Sequence, residues 1–171
     1  MVRKKYGYND HTMALHGIMT PVIESLVMSE VNLKNHPFLT TAPEMQTLCL
    51  PLFSLGINHF VYHKNYLNGG EIRLSNNPRW LQHFYDGQYH RFSAFEKNPK
   101  ELQTGYVIWA HLQNHNTVLD AAREFNIDHG ISLVKRVTDG VEYFFFGTTR
   151  DNPQIINFYI NNLQLLERFT V

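Results

Sequence analysis

The sequence predicts an α/β/α sandwich: an antiparallel sheet of about five strands with helices on both faces. Three observations lead there. Short runs rich in β-branched and aromatic residues come in two pairs, each pair joined by a glycine turn. Apolar residues at helical spacing lie before, between and after those pairs. The chain has 171 residues, 43% of them hydrophobic, enough to bury a substantial core without disulfides.

In chain order, Met13, Ala14, Ile18, Val22, Ile23, Leu26 and Val27 give helical spacing over Thr12–Val31, with Pro21 as a kink or break. Residues 34–44 read as a loop. Pro43-Glu44 opens a second helix running through Leu48, Leu52 and Phe53 to Gly56, a good C-cap, with Pro51 awkward near its end. "INHFVYHKNYL" (57–67) alternates as a strand does, and "NGG" turns it back into "EIRLS" (71–75). Pro78 starts a helix reaching about Tyr89, with Trp80, Phe84 and Gln88 on one face and Leu81, Tyr85 and Tyr89 beside them. "YVIWAHL" (106–112) reads as a strand. Asn116 caps a helix over 117–126 with Val118, Leu119, Ala122 and Phe125 on one side. "GISLVKRV" and "VEYFFFGT" form a hairpin about Thr138-Asp139-Gly140, and Asn152-Pro153 opens a last helix through Ile156, Tyr159, Ile160, Leu163, Leu166 and Phe169. This order suits a sandwich of PAS- or GAF-like type, an architecture that does not by itself establish a function.

Composition narrows the functional classes. Fifteen basic residues balance fifteen acidic ones, so the surplus of positive charge that neutralises phosphates in a nucleic-acid-binding domain is lacking. Cys49 is the only cysteine, which excludes an internal disulfide and fits a reducing, cytoplasmic setting. No apolar run approaches a membrane span or the core of a signal peptide. "NGG" lacks the spaced glycines and lysine of a phosphate loop. His59 and His63 share one strand face with Val61, but two ligands do not make a zinc site, and no close Cys/His pair adds to them. No serine lies in a nucleophile elbow, and the carboxylates are dispersed. The expectation is therefore no metal, no cofactor and no catalysis. Aromatic residues, 13% of the chain, supply flat apolar surface instead.

The landmarks "LGINHFVYH", Trp80, Phe84, Trp109 and "AAREFNIDHGISLVKRVTDG" with Gly130, in that order, resemble the autoinducer-binding, signal-sensing domain of LuxR-type bacterial transcriptional regulators, over roughly residues 45–168. The resemblance implies a pocket between sheet and helices with Trp80 and Trp109 at the family's two tryptophans. It also implies changed polar anchors. Ser93 stands where the family has the aspartate that accepts a hydrogen bond from the signal's amide, and Ala94 replaces the following proline. Phe84 replaces a pocket tyrosine, Asn76 another tyrosine, and Phe146 a serine or threonine. A hydrogen bond to a charged group contributes roughly 1.5–3 kcal/mol, so the expected ligand is a small, largely apolar signal other than the usual acyl homoserine lactone.

The candidate ligand-binding residues are thus Trp80, Phe84, Ser93, Trp109, Asn76, Val61, Phe146 and His63, the last as a substitute anchor if Phe60 and Tyr62 face the opposite side. The family's helix-turn-helix domain has no counterpart in residues 1–171, read as a single ligand-sensing domain. A homodimer is expected, contacting DNA only through such a further domain. The alternative is a ligand-free interaction module whose aromatic face only fills the core.

Overall fold

The computed structural model describes residues 37–92, 103–112 and 117–171. The helix expected over Thr12–Val31 and the candidate Ser93 lie outside the described residues. Strands β1 (His59–Tyr66), β2 (Glu71–Ser75), β3 (Gly105–Ile108), β4 (Asp128–Val137) and β5 (Gly140–Thr148) form one antiparallel sheet in the order β2-β1-β5-β4-β3. Its centre joins β1 to β5, with Val61 opposite Phe145 and His63 opposite Tyr143.

Each strand face has its own cover. Phe60, Ile131, Leu133, Phe144 and Phe146 point to one side. There they pack against Met45 of α2 (Ala42–Leu48), Leu52 of α3 (Leu50–Phe53), Ile155 and Tyr159 of α6 (Ile155–Asn161) and Leu166 of α7 (Leu163–Phe169). The other side is covered by α4 (Pro78–Asp86) and α5 (Thr117–Glu124), which bring Trp80, Phe84, Leu119 and Ala122 into a second cluster with Trp109 and Ile127. The sheet is therefore buried on both faces, with helices on each. Among the described residues no helix is long and apolar enough to cross a membrane.

Five elements depart from those expected. Within 34–44, read as a loop, Pro37–Thr40 forms a short helix, α1, and α2 already begins at Ala42. The helix expected from Pro43 to Gly56 breaks at Cys49 into α2 and α3, because Pro51 has no N–H to bond the carbonyl four residues back. The last helix breaks at Asn162, whose side-chain amide donates to the Phe158 carbonyl at 2.9 Å and competes with the helical ladder. The strand expected over 106–112 ends at Ile108, and Trp109–Leu112 turn as a 3₁₀ helix. The aromatic helix is also shorter than expected. The Asn77 side chain accepts from the Trp80 N–H at 3.0 Å and Pro78 occupies the first turn, but Gln88, at φ 53°, stops it before the 3₁₀ turn Tyr89–Arg91.

Asn76 has a structural position here. It is buried at the end of β2, where its side-chain oxygen accepts from the Phe60 N–H at 2.9 Å and its amide donates to the Asn58 carbonyl at 3.0 Å. The side chain thus continues the β1–β2 ladder past the last residue of β2. Asn76→Ala leaves those two backbone groups without their partner and should lower the urea unfolding free energy by about 1–3 kcal/mol. An unchanged midpoint and slope would show that the two bonds are replaced by water at no cost.

Candidate ligand pocket

Between the sheet and the pair α4/α5 lies a cavity of about 60 Å³. Strands contribute His59 and Val61 from β1, Arg73 from β2 and Phe145 from β5. The helical side contributes Trp80, Leu81 and Phe84 from α4 and Leu119 and Ala122 from α5, with Trp109 closing one end. The lining is mainly aromatic and aliphatic, the usual character of a small-molecule site. In this measure one water needs roughly 10–15 Å³, while a cavity that admits benzene is about 150 Å³. The space therefore holds a few waters, and any larger occupant must displace lining side chains.

Trp109 is held from two directions. Its indole N–H donates to the buried Ser132 hydroxyl at 2.8 Å. Its ring lies over Gly130 of β4 and Gly147 of β5: a β-carbon at position 130 would overlap the indole, and one at position 147 would approach it to 3.2 Å. Gly130 reaches this place through a register shift between Asp128 and Ile131, where His129 takes φ 46°. A bulge of this kind bends and re-aims a strand. Trp80 packs edge-on to Phe84 and Phe125, with ring centroids at 5.9 and 5.6 Å, and stacks on Tyr89 at 6.3 Å.

A row of buried polar groups crosses this same sheet face. His63 stacks on Tyr143 with centroids 5.3 Å apart. Arg73 places Nη2 3.0 Å from His63 Nδ1, while His63 Nε2 lies 3.3 Å from a Glu71 carboxylate oxygen. The tautomer that serves both neighbours has Nδ1 accepting from Arg73 and Nε2–H donating to Glu71. Burial, and then the Arg73 charge, push the His63 pKa down to about 4, so at neutral pH this contact is a neutral imidazole donating to a carboxylate. The hydrogen bond from His63, followed by the Arg73 charge, outweighs burial and holds Glu71 at about 2. The Arg73 guanidinium carbon lies 4.4 Å from the Phe84 ring centre, a cation–π contact. His59, 4% exposed, has its pKa pushed down to about 3 by burial and is a neutral imidazole.

The structure thus brings Trp80, Phe84, Trp109 and Val61 together around one cavity. Three other candidates lie elsewhere. Asn76 is committed to the β1–β2 ladder. His63 is enclosed by Arg73, Glu71 and Tyr143 and does not line the space. Phe146, expected at the ligand, points to the opposite face and packs on Phe60 and Phe169, so Phe145 is the β5 side chain at the cavity. The run Phe144-Phe145-Phe146 conceals this, because a strand buried on both faces shows no alternation of polarity. Arg73, flanked by Ile72 and Leu74, reads in sequence as a solvent-facing charge. Only the second covered face shows otherwise. Among the described residues no group of three or more His, Cys, Asp or Glu could hold a metal ion.

No family model and no curated protein matches this sequence. Solved structures do resemble it. SdiA in complex with octanoyl-rac-glycerol aligns at a TM-score of 0.50 and 14% identity over 63% of this chain and 48% of that one. CepR2 from Burkholderia cenocepacia, an N-acylhomoserine-lactone-dependent LuxR family transcription factor, aligns at 0.56 and 15% over 77% and 90%. Escherichia coli SdiA aligns at 0.57 and 13% over 80% and 60%. This chain spans about half to three-fifths of the SdiA chains and nine-tenths of the CepR2 chain. At these identities the likeness establishes a common fold: the five-stranded antiparallel sheet with helices expected from the order of elements in the sequence.

The two histidines give a pH dependence with a definite sign. Their folded pKa values, about 3 for His59 and about 4 for His63, lie below the ordinary 6.5. The unfolded chain therefore binds more protons below 6.5, and the stability present above that pH drains as the pH falls toward the folded values. Urea unfolding should show a lower midpoint at about pH 5 than at about pH 7, and His59→Phe should make that decline shallower. An equally steep decline in the variant would mean that His59 is not buried as a neutral ring.

Proposed function

We propose that this chain is the ligand-sensing domain of a LuxR-type regulator, binding a small, largely apolar molecule between the sheet and α4/α5. The observation that carries the reading is the cavity itself. Both tryptophans of the chain, at 5% and 6% exposure, line it together with Phe84 and Phe145. The common fold supports it, since SdiA has been solved with octanoyl-rac-glycerol and CepR2 depends on N-acylhomoserine lactones. The role is binding without catalysis. In this reading the domain is cytoplasmic and pairs as a homodimer. Ligand binding alters DNA binding by a separate helix-turn-helix domain, through a difference in affinity for two conformations. The changed anchors at Phe84 and Ser93 support a ligand other than the usual acyl homoserine lactone.

A second reading, a ligand-free interaction module with a filled core, is favoured by the small volume of about 60 Å³. One titration separates the two. Because Trp80 and Trp109 are the only tryptophans and both line the cavity, selectively excited tryptophan emission reports on it. Titration with acyl homoserine lactones and with neutral apolar metabolites should give a saturable emission change for members of the second group. A ligand at a hundredfold its dissociation constant should add about 2.7 kcal/mol to stability. Trp80→Phe should weaken that binding by about 1–2 kcal/mol, the scale of the lost indole hydrogen bond, while leaving the ligand-free melting temperature nearly unchanged. No saturable change with any compound, together with a lowered melting temperature for Trp80→Phe, would establish the filled core. Micromolar binding of ordinary lactones would overturn the selectivity.

A further inference from the structure

One ring nitrogen of His59 is a polar atom on the cavity wall. Its side chain lines the cavity and is almost wholly buried, and Nδ1 has no hydrogen-bond partner among the described residues. Two neighbouring polar side chains have partners. Ser132 takes the Trp109 N–H, and His63 lies between Arg73 and Glu71. A buried nitrogen left without a partner is destabilising, and buried polar side chains in native folds are normally satisfied. An occupant of the cavity can supply what the protein does not.

The same wall indicates the occupant's charge. Among the described residues Arg73 is the one cationic side chain in the lining, and its guanidinium lies over Phe84 beside His63. Its charge acts on the Glu71 carboxylate, which it helps to keep ionised. The positive charge is thus answered within the protein, and an anionic head group would meet Glu71 close behind it. His59 is neutral and has one donor and one acceptor site. A hydroxyl both donates and accepts, so it satisfies Nδ1 in either tautomer.

We propose that the cavity takes a neutral alcohol with an apolar body, its hydroxyl hydrogen-bonded to Nδ1 of His59. This rests on the ligand-sensing reading above and names the ligand class for that site. The aromatic walls take the apolar body, and His59 sets the polar end.

The test uses 1-hexanol and hexanoate as a matched pair, followed by tryptophan emission and melting temperature. The alcohol should bind at least about tenfold more tightly than the carboxylate. His59→Phe keeps a flat ring and removes both nitrogens. It should weaken hexanol binding by about tenfold and leave the ligand-free melting temperature equal or higher. His59→Asn, which keeps an amide near the position of Nδ1, should retain hexanol binding within about threefold. Tighter binding of hexanoate, unaltered hexanol binding in His59→Phe, or equal loss in both variants would overturn the alcohol assignment while leaving the pocket standing. Absence of any response to either compound up to its solubility limit would remove the ligand-sensing reading and this inference with it.

Discussion

The indole of Trp109 lies flat against two glycines on adjacent strands, Gly130 of β4 and Gly147 of β5, with its N–H fixed by Ser132. Much of the cavity side of this fold depends on that seat. A side chain of any size at position 130 would push the ring outward, and the 3₁₀ turn Trp109–Leu112 that carries it would have to move as well. Because the ring lies down on the sheet instead of standing between sheet and helix, space is left beside it for Phe145 and for the α5 side chains Leu119 and Ala122. The cavity is what remains between a tryptophan seated on glycine and a second tryptophan presented by α4.

The two faces of the sheet follow different rules. On the side of α2, α3, α6 and α7 the strands present Phe60, Ile131, Leu133, Phe144 and Phe146, and the packing is apolar. On the side of α4 and α5 the same strands present His59, His63, Arg73, Ser75 and Ser132, all buried. Burying so many polar groups stabilises little by itself, since each must recover in the protein what it loses in water. His63 and Arg73 do so through one another, Ser132 through the Trp109 indole and Ser75 through the Asn77 backbone. A domain serving only as a scaffold would gain more from aliphatic residues at these positions. Two of them, His59 and Arg73, line the apolar cavity.

Much of this was legible in the sequence. Alternation in "HFVYH" placed Phe60 and Tyr62 opposite His59, Val61 and His63, and that division is the one observed. Pro78 announced the start of α4, and the glycine turns announced both hairpins. What stayed hidden depended on contacts across the fold. Whether β3 runs on past Ile108 is decided by the glycines waiting on other strands, which no local pattern in "YVIWAHL" reveals. Phe145 could not be chosen over Phe144 and Phe146 until both faces were known to be covered. Among the histidines, His63 is occupied by Arg73 and Glu71 while Nδ1 of His59 has no partner among the described residues, a distinction of tertiary neighbours alone.

Trp109 and Gly130 act as one unit, and a double-mutant cycle measures this directly. Gly130→Ala alone should lower the unfolding free energy by about 1–3 kcal/mol through overpacking against the indole. In a Trp109→Leu background, where the large ring is gone, the same substitution should cost much less, giving a coupling energy of about 1 kcal/mol or more. Strictly additive losses in the double variant would contradict the account, because they would mean that the β-carbon at position 130 and the indole never compete for the same space.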